Sequence, residues 1–195
     1  MSENVANRAL KARAKAAADR IQQDINNTKV IRNSVVHSND FLHLAESDDL
    51  SINNLPSGNI SVPLSFWLKN KQAVLDRDGP VAVQIASNEM PEILADDLPD
   101  IEIIVLPFVN FVDGRSYSHA HKLRLRYAFK GEIRAVGDVN FDQLDFLKRA
   151  GCDAFELREN ADYDTALRAF SEFSEVYQPA ADDRYLIFSR RRKVH

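Results

Sequence analysis

Residues 101–157, IEIIVLPFVNFVDGRSYSHAHKLRLRYAFKGEIRAVGDVNFDQLDFLKRAGCDAFEL, hold three strand-like runs, Ile101–Phe108, Glu132–Gly137 and Ala154–Leu157. Short runs rich in Val, Ile, Leu and Phe read as buried strands. Between them lie two segments whose apolar residues recur at helical spacing, from about Ser116 to Ala128 and from Phe141 to Ala150. Strand, helix, strand in repetition requires crossover connections, and these are right-handed and leave the strands parallel.

The same alternation extends outward. Ile60–Val62 precedes a helix through Phe66, Trp67 and Val74, Val81–Ile85 precedes the segment Pro91–Leu98, and a helix from Asp164 to Phe173 follows the last strand. The expected class is therefore α/β, with a mostly parallel sheet of repeated βα units and flanking helices over residues 60–178. An open, doubly wound sheet is the expected form and a partial barrel the alternative.

The flanks differ in character. Residues 1–28 are rich in Ala, Lys, Arg and Gln with a thin stripe at Leu10, Ala14, Ala17, Ile21 and Ile25, which predicts a helical arm, either an appendage or a docking segment. Residues 29–59, dominated toward their end by Ser, Asn, Asp and Leu, read as irregular cover with one short strand. Residues 179–195 form a basic tail in which Arg184–Phe188 is a candidate edge strand before Arg190, Arg191, Arg192 and Lys193. That basic run is either solvated or a contact to an acidic partner surface.

The 195 residues are 45% hydrophobic and 28% charged, the make-up of an ordinary folded domain. A net charge of −4 argues against a nucleic-acid partner, which would need clustered Lys and Arg. No apolar stretch is long enough for a membrane span, and the first twenty residues lack the apolar core of a secretory signal, so a cytoplasmic protein with no membrane partner is expected. The single cysteine, Cys152, cannot form an internal disulfide and reads as a small packed residue.

In parallel α/β sheets, ligands and partners meet the loops at the carboxyl ends of the strands. After Ile101–Phe108 comes Asp113-Gly114-Arg115, in which Gly114 permits a tight turn and Asp113 or Ser116 can cap the next helix. Arg115 beside the free N–H groups of that helix is either an anion site or a surface arginine next to a cap. Tyr117, Ala120, Leu123 and Tyr127 share the helix's apolar arc, and Arg124 falls within it, either snorkelling or in a specific ionic role. Arg115, His119, Lys122 and Arg126 line the other side as a positive surface or a solvated face. Glu132, Arg134, Asp138 and Glu156 place more charge on two strands than central strands normally hold. Arg134 and Glu156 can pair if their strands are neighbours, and Asp138 with Glu156 is the candidate acid/base pair. Asp142 and Gln143 begin the following helix.

The chain lacks C-x-x-C, G-x-G-x-x-G, G-x-x-x-x-G-K-[ST], H-E-x-x-H and G-x-S-x-G. No cofactor or metal is expected on that ground, and His119 and His121, two apart on a helix, are a poor metal pair.

Asp113-Gly114-Arg115, Tyr117-Ser118, Leu123-Arg124, Arg126-Tyr127, the run Phe129-Lys130-Gly131-Glu132-Ile133-Arg134-Ala135-Val136-Gly137-Asp138-Val139, Asp142-Gln143 and Asp153–Leu157 together resemble the bacterial domain-of-unknown-function family 934. The resemblance covers about residues 33–178. Members of that family are often described as probable oxidoreductases of sulfite reduction and lie near assimilatory sulfite reductase. Three positions depart from the family pattern: Ser116 replaces a second glycine, Ala128 stands where R-Y-G-[FY] is common, and Ala150-Gly151-Cys152-Asp153 replaces C-G-[FC]-D. The family pathway and the missing redox motifs combine into an accessory protein of assimilatory sulfite reduction. It would bind the reductase, its electron donor or an anion such as sulfite through Asp113, Gly114, Arg115, Tyr117, Arg124, Arg126, Arg134, Asp138, Asp142, Gln143 and Glu156. A small enzyme acting on a sulfur-containing metabolite by acid/base chemistry and a purely structural subunit are the alternatives.

Overall fold

The structure, a computed structural model, describes residues 29–46, 48, 50–109, 113–157, 161–170 and 180–181. Five strands make its spine: β4 (Asn59–Pro63), β5 (Val81–Gln84), β6 (Ile103–Phe108), β7 (Glu132–Gly137) and β8 (Ala154–Glu156). Each lies parallel to the next in chain order. Strand β3 (Phe41–His43) adds in parallel outside β4, and a hairpin of β1 (Lys29–Arg32) and β2 (Val35–Ser38) adds antiparallel outside β8. Helices α1 (Leu64–Leu75), α2 (Arg115–Leu125), α3 (Leu144–Ala150) and α4 (Tyr163–Ala169) follow β4, β6, β7 and β8.

The strand order, β2-β1-β8-β7-β6-β5-β4-β3, never reverses within β4–β8. A doubly wound sheet needs such a reversal to send helices to both faces, whereas right-handed crossovers in one direction put every helix on the same face. The open, doubly wound expectation therefore gives way to its alternative, a curled half-barrel with the helices outside. Side chains measure the curl. Strands β3 and β8 are five spacings apart in the sheet, about 24 Å if it were flat, yet His43 Nε2 and Glu156 Oε2 stand 2.9 Å apart across the concave face.

The convex face carries the main core: Ile60, Val62, Val83, Ile104, Leu106, Ile133 and Phe155 pack with Trp67, Leu123, Leu144 and Leu147 from the helices. Each such side chain contributes roughly 1.5–3 kcal/mol when fully buried. The concave face carries a smaller cluster, Phe41, Ala82, Val105 and Val136, interrupted by buried Ser61, Arg134 and Glu156.

Two glycines of the run 129–139 have steric reasons. A Cβ on Gly131 would collide with the Glu102 carbonyl, and Gly137, at φ +97°, would place one 2.6 Å from the Phe108 carbonyl oxygen. Gly137 thus lets Asp138 N–H turn onto that same oxygen at 2.7 Å.

Three sequence expectations change. Residues 29–59 are not irregular cover with one strand: they supply β1, β2 and β3, with Asn33 and Ser34 forming the hairpin turn at φ 52° and 60°. The segment Pro91–Leu98 forms a 3-10 turn, Pro91–Leu94, and leads into a second, Leu98–Asp100, in place of a helix. Helix α2 begins at Arg115 and ends at Leu125, short of Ala128, whose φ is +50°. The arm 1–28, the end of the last helix at Phe173, and the tail with Arg184–Phe188 and Arg190–Lys193 lie outside the described residues. No helix among the described residues is long and apolar enough to cross a membrane.

Candidate functional site

Past the carboxyl ends of β5 and β6, Asp113 gathers the loops. Its Oδ1 accepts from Arg115 N–H at 3.2 Å and Arg115 Nε at 2.9 Å, and its Oδ2 accepts from Arg115 Nη2 at 2.7 Å and Ser87 Oγ at 2.6 Å. The bonds from Arg115 and then Ser87 hold the Asp113 carboxyl well below the usual carboxylate range. Arg115 keeps 61% of its side chain exposed. Its charge is already matched, so a free anion meets a neutral pair. Gly114 adopts an ordinary φ of −81°, and a Cβ there would stand in open space, so neither the turn nor crowding demands glycine. Ser116 does not cap the helix. It is buried, and its hydroxyl donates to the Pro107 carbonyl at 3.1 Å.

Inside the half-barrel, Arg134 is fully buried, and a buried charge mid-strand requires partners. Its Nε donates to Glu132 Oε1 at 2.8 Å, its Nη1 to Glu156 Oε1 at 3.0 Å, and its guanidinium lies 4.5 Å from the Phe41 ring centre. The expected Arg134–Glu156 pair is thus formed: Arg134 registers against Ala154, and Glu156, two residues on, is its diagonal neighbour on the same face. Glu156 Oε2 accepts from Asn39 Nδ2 at 2.9 Å and stands 2.9 Å from His43 Nε2. His43 Nδ1 lies 2.6 Å from Ser61 Oγ, which also accepts from Gln84 Nε2 at 2.9 Å. Burial alone would raise the Glu156 carboxyl, but the His43 and Arg134 side chains bonded to it outweigh burial and set the group below its ordinary value. The titratable side chain bonded to Glu156 opposite Arg134 is His43. Asp138, the sequence candidate, sits beyond the end of β7.

The remaining candidates are chiefly architectural. Arg124 does not snorkel: it donates to the carbonyls of Gly151 at 2.9 Å, Phe129 at 2.6 Å and Gly131 at 2.9 Å, and pairs with Asp153. Tyr117 packs between Phe108 and Phe146, ring centres 5.1 and 5.0 Å away, and hydrogen-bonds Gln143. Gln143 is buried and accepts from Asn140 N–H at 2.9 Å. Asp142 is exposed in the 3-10 turn ahead of α3, and Arg126 is exposed with its guanidinium 5.8 Å from the Tyr127 ring centre. The positive stripe on α2 does not form, because His119 is buried and Lys122 is paired with Glu92 at 2.8 Å. Cys152 is buried in the core, and that burial pushes its thiol far above the usual range.

Sequence reasoning missed Asn39, Phe41, His43, Ser61 and Gln84. None belongs to a motif. The one available signal was alternation, since Ser61 and Gln84 stand at single polar positions in otherwise apolar runs.

A family profile described as bacterial protein of unknown function (DUF934) matches residues 82–188, just over half of the chain. It starts later than residue 33 and reaches past residue 178, so it leaves β1–β4 unmatched and takes in part of the tail. No curated protein matches this sequence.

Proposed function

Because the chain belongs to this bacterial family of unknown function, DUF934, we propose that it serves assimilatory sulfite reduction as an accessory protein, binding the reductase or its electron donor through the carboxyl-edge loops. The observation that carries this reading is the Ser87–Asp113–Arg115 cluster. Its exposed guanidinium is oriented in advance by Asp113, and Ser87 Oγ accepts from Nη2 at 3.2 Å. Exposed arginines held in place are favoured anchors of protein contacts, because little side-chain freedom is lost on binding. Met90, Ile93 and Val109, exposed in the segments that follow β5 and β6, offer apolar area for such a contact.

The test is binding of purified reductase and purified donor to immobilised protein, alongside growth of a deletion strain on sulfate or cysteine as sole sulfur source. Wild-type protein binds one component and restores growth on sulfate. Arg115→Ala weakens binding roughly tenfold, and Arg115→Lys rescues poorly because lysine lacks the planar fork. Growth on sulfate unaffected by the deletion, or no binding to either component, overturns the reading.

A further inference from the structure

We propose that Ser61, His43 and Glu156 form an acyl-transfer site at the carboxyl mouth of the half-barrel, with Ser61 as nucleophile toward small uncharged esters or thioesters. With His43 neutral, the hydrogen-bond pattern leaves one proton arrangement. Glu156, ionised and paired with Arg134, can only accept, so the His43 nitrogen 2.9 Å away, Nε2, carries the proton. In neutral imidazole Nδ1 is then bare, and Ser61 Oγ at 2.6 Å must donate to it. Gln84 Nε2, 2.9 Å from Ser61 Oγ and shared with the carbonyls of Leu44 at 2.7 Å and Ser61 at 3.0 Å, can only donate, so it does not compete with His43 for the hydroxyl proton. A carboxylate that fixes the tautomer, an imidazole poised as base and a hydroxyl on its free nitrogen are the three roles of a serine triad, recognised by geometry and not by motif.

Location supports the same assignment. His43, Gln84 and Glu156 are the last residues of β3, β5 and β8, and Ser61 registers directly against His43 on β4. Sites of parallel barrels are built in this way, from the carboxyl ends of several strands. Ser61 is fully buried while His43 is 26% exposed, so a substrate enters past His43 and its acyl group must be small. The loops after β3 and β5 carry Glu46 and Glu89. Burial raises the Glu89 carboxyl and the charge of Glu46 adds to it. That acidic approach disfavours anionic substrates.

In the reaction, Ser61 Oγ bonds to the carbonyl carbon as its proton passes to His43 Nδ1. The alcohol or thiol departs with that proton, and water, deprotonated by the same nitrogen, then releases the acid and restores the serine.

Methanesulfonyl fluoride, small enough for the buried hydroxyl, tests the site in the full chain, forming a Ser61 O–S bond and expelling fluoride while His43 takes the proton. Intact mass and peptide mapping should find one sulfonyl group, on Ser61. It should be absent in Ser61→Ala and formed at least ~100-fold more slowly in His43→Gln, which keeps hydrogen-bonding capacity but no base. Wild-type protein should also release a burst of nitrophenolate from p-nitrophenyl acetate, which the sulfonyl adduct abolishes. No adduct and no burst from folded wild-type protein, or equal labelling in a folded His43→Gln, overturns the proposal. If the variants do not fold, the wild-type burst and its loss on labelling decide. Failure here leaves the Arg115 reading standing, because that test measures partner binding.

Discussion

Replacing Arg134 with methionine removes a cation that is 0% exposed and leaves its two carboxylates, Glu132 and Glu156, without it. Methionine fills similar volume and can still pack on Phe41, so cavity formation is a small part of the effect. The larger part is electrostatic. Breaking a buried pair from one side costs about 3–5 kcal/mol, because the remaining charge keeps its desolvation penalty and loses its partner. Glu156 retains Asn39 and His43, which places the expectation at the lower end, about 3 kcal/mol. For a chain of this size that corresponds to a fall in melting temperature of roughly 6–12 °C. Calorimetry with urea titration on the same samples measures it. The double replacement Arg134→Met with Glu156→Gln should be less harmful than the sum of the two singles, because both singles remove the same ion pair. A single Arg134→Met that melts within about 2 °C of the parent, or a double variant that is strictly additive, refutes the view that this pair is buried and coupled.

Glu156 has a lowered carboxyl pKa in the fold, so its stabilising contribution is complete above the unfolded value of about 4.3 and is lost as pH falls through the folded value. Melting temperature followed from pH 7 to 3 should therefore drop less steeply in Glu156→Gln than in the parent. Gly137→Ala, forced to φ +97° with its Cβ against the Phe108 carbonyl, should lose about 1–3 kcal/mol in urea unfolding. Arg124→Ala, which strands three carbonyls and Asp153, should lose roughly 2–4 kcal/mol by the same assay. Cys152→Ser should support growth on sulfate at normal protein abundance, and the native thiol should resist Ellman's reagent until the chain is unfolded.

The βα alternation from Ile60 to Leu157 was legible because those runs are apolar on both faces or carry one obvious intrusion. Strands β1–β3 were not, for physical reasons that differ among them. Strand β2 is largely exposed, so Val35–Ser38 shows no buried alternation, and the Asn33-Ser34 turn lacks the glycine that usually announces a hairpin. Strand β3 has three residues, too few for any period. The D-G-R loop was recognisable as a unit at the correct edge, yet its partner Ser87 lies 26 residues from Asp113, and nothing local joins them. The His43–Glu156 contact spans 113 residues and depends wholly on the curl.

The curl itself left one trace, the charge on β7. A parallel sheet covered by helices on both faces reads as continuous apolar strands, and Arg134 under a helix would need a partner from that helix. In this singly wound half-barrel no helix among the described residues covers the concave face. Its alternate positions are instead covered by the chain's own edge, and polar side chains there can find partners across the curve: Arg134 with Asn39 and Phe41, Glu156 with His43. Ser61, Gln84, Arg134 and Glu156, each on an inward position of a different strand, are what an uncovered face looks like from sequence. The pair Arg134–Glu156 is thus a mark of the half-barrel as much as of a site.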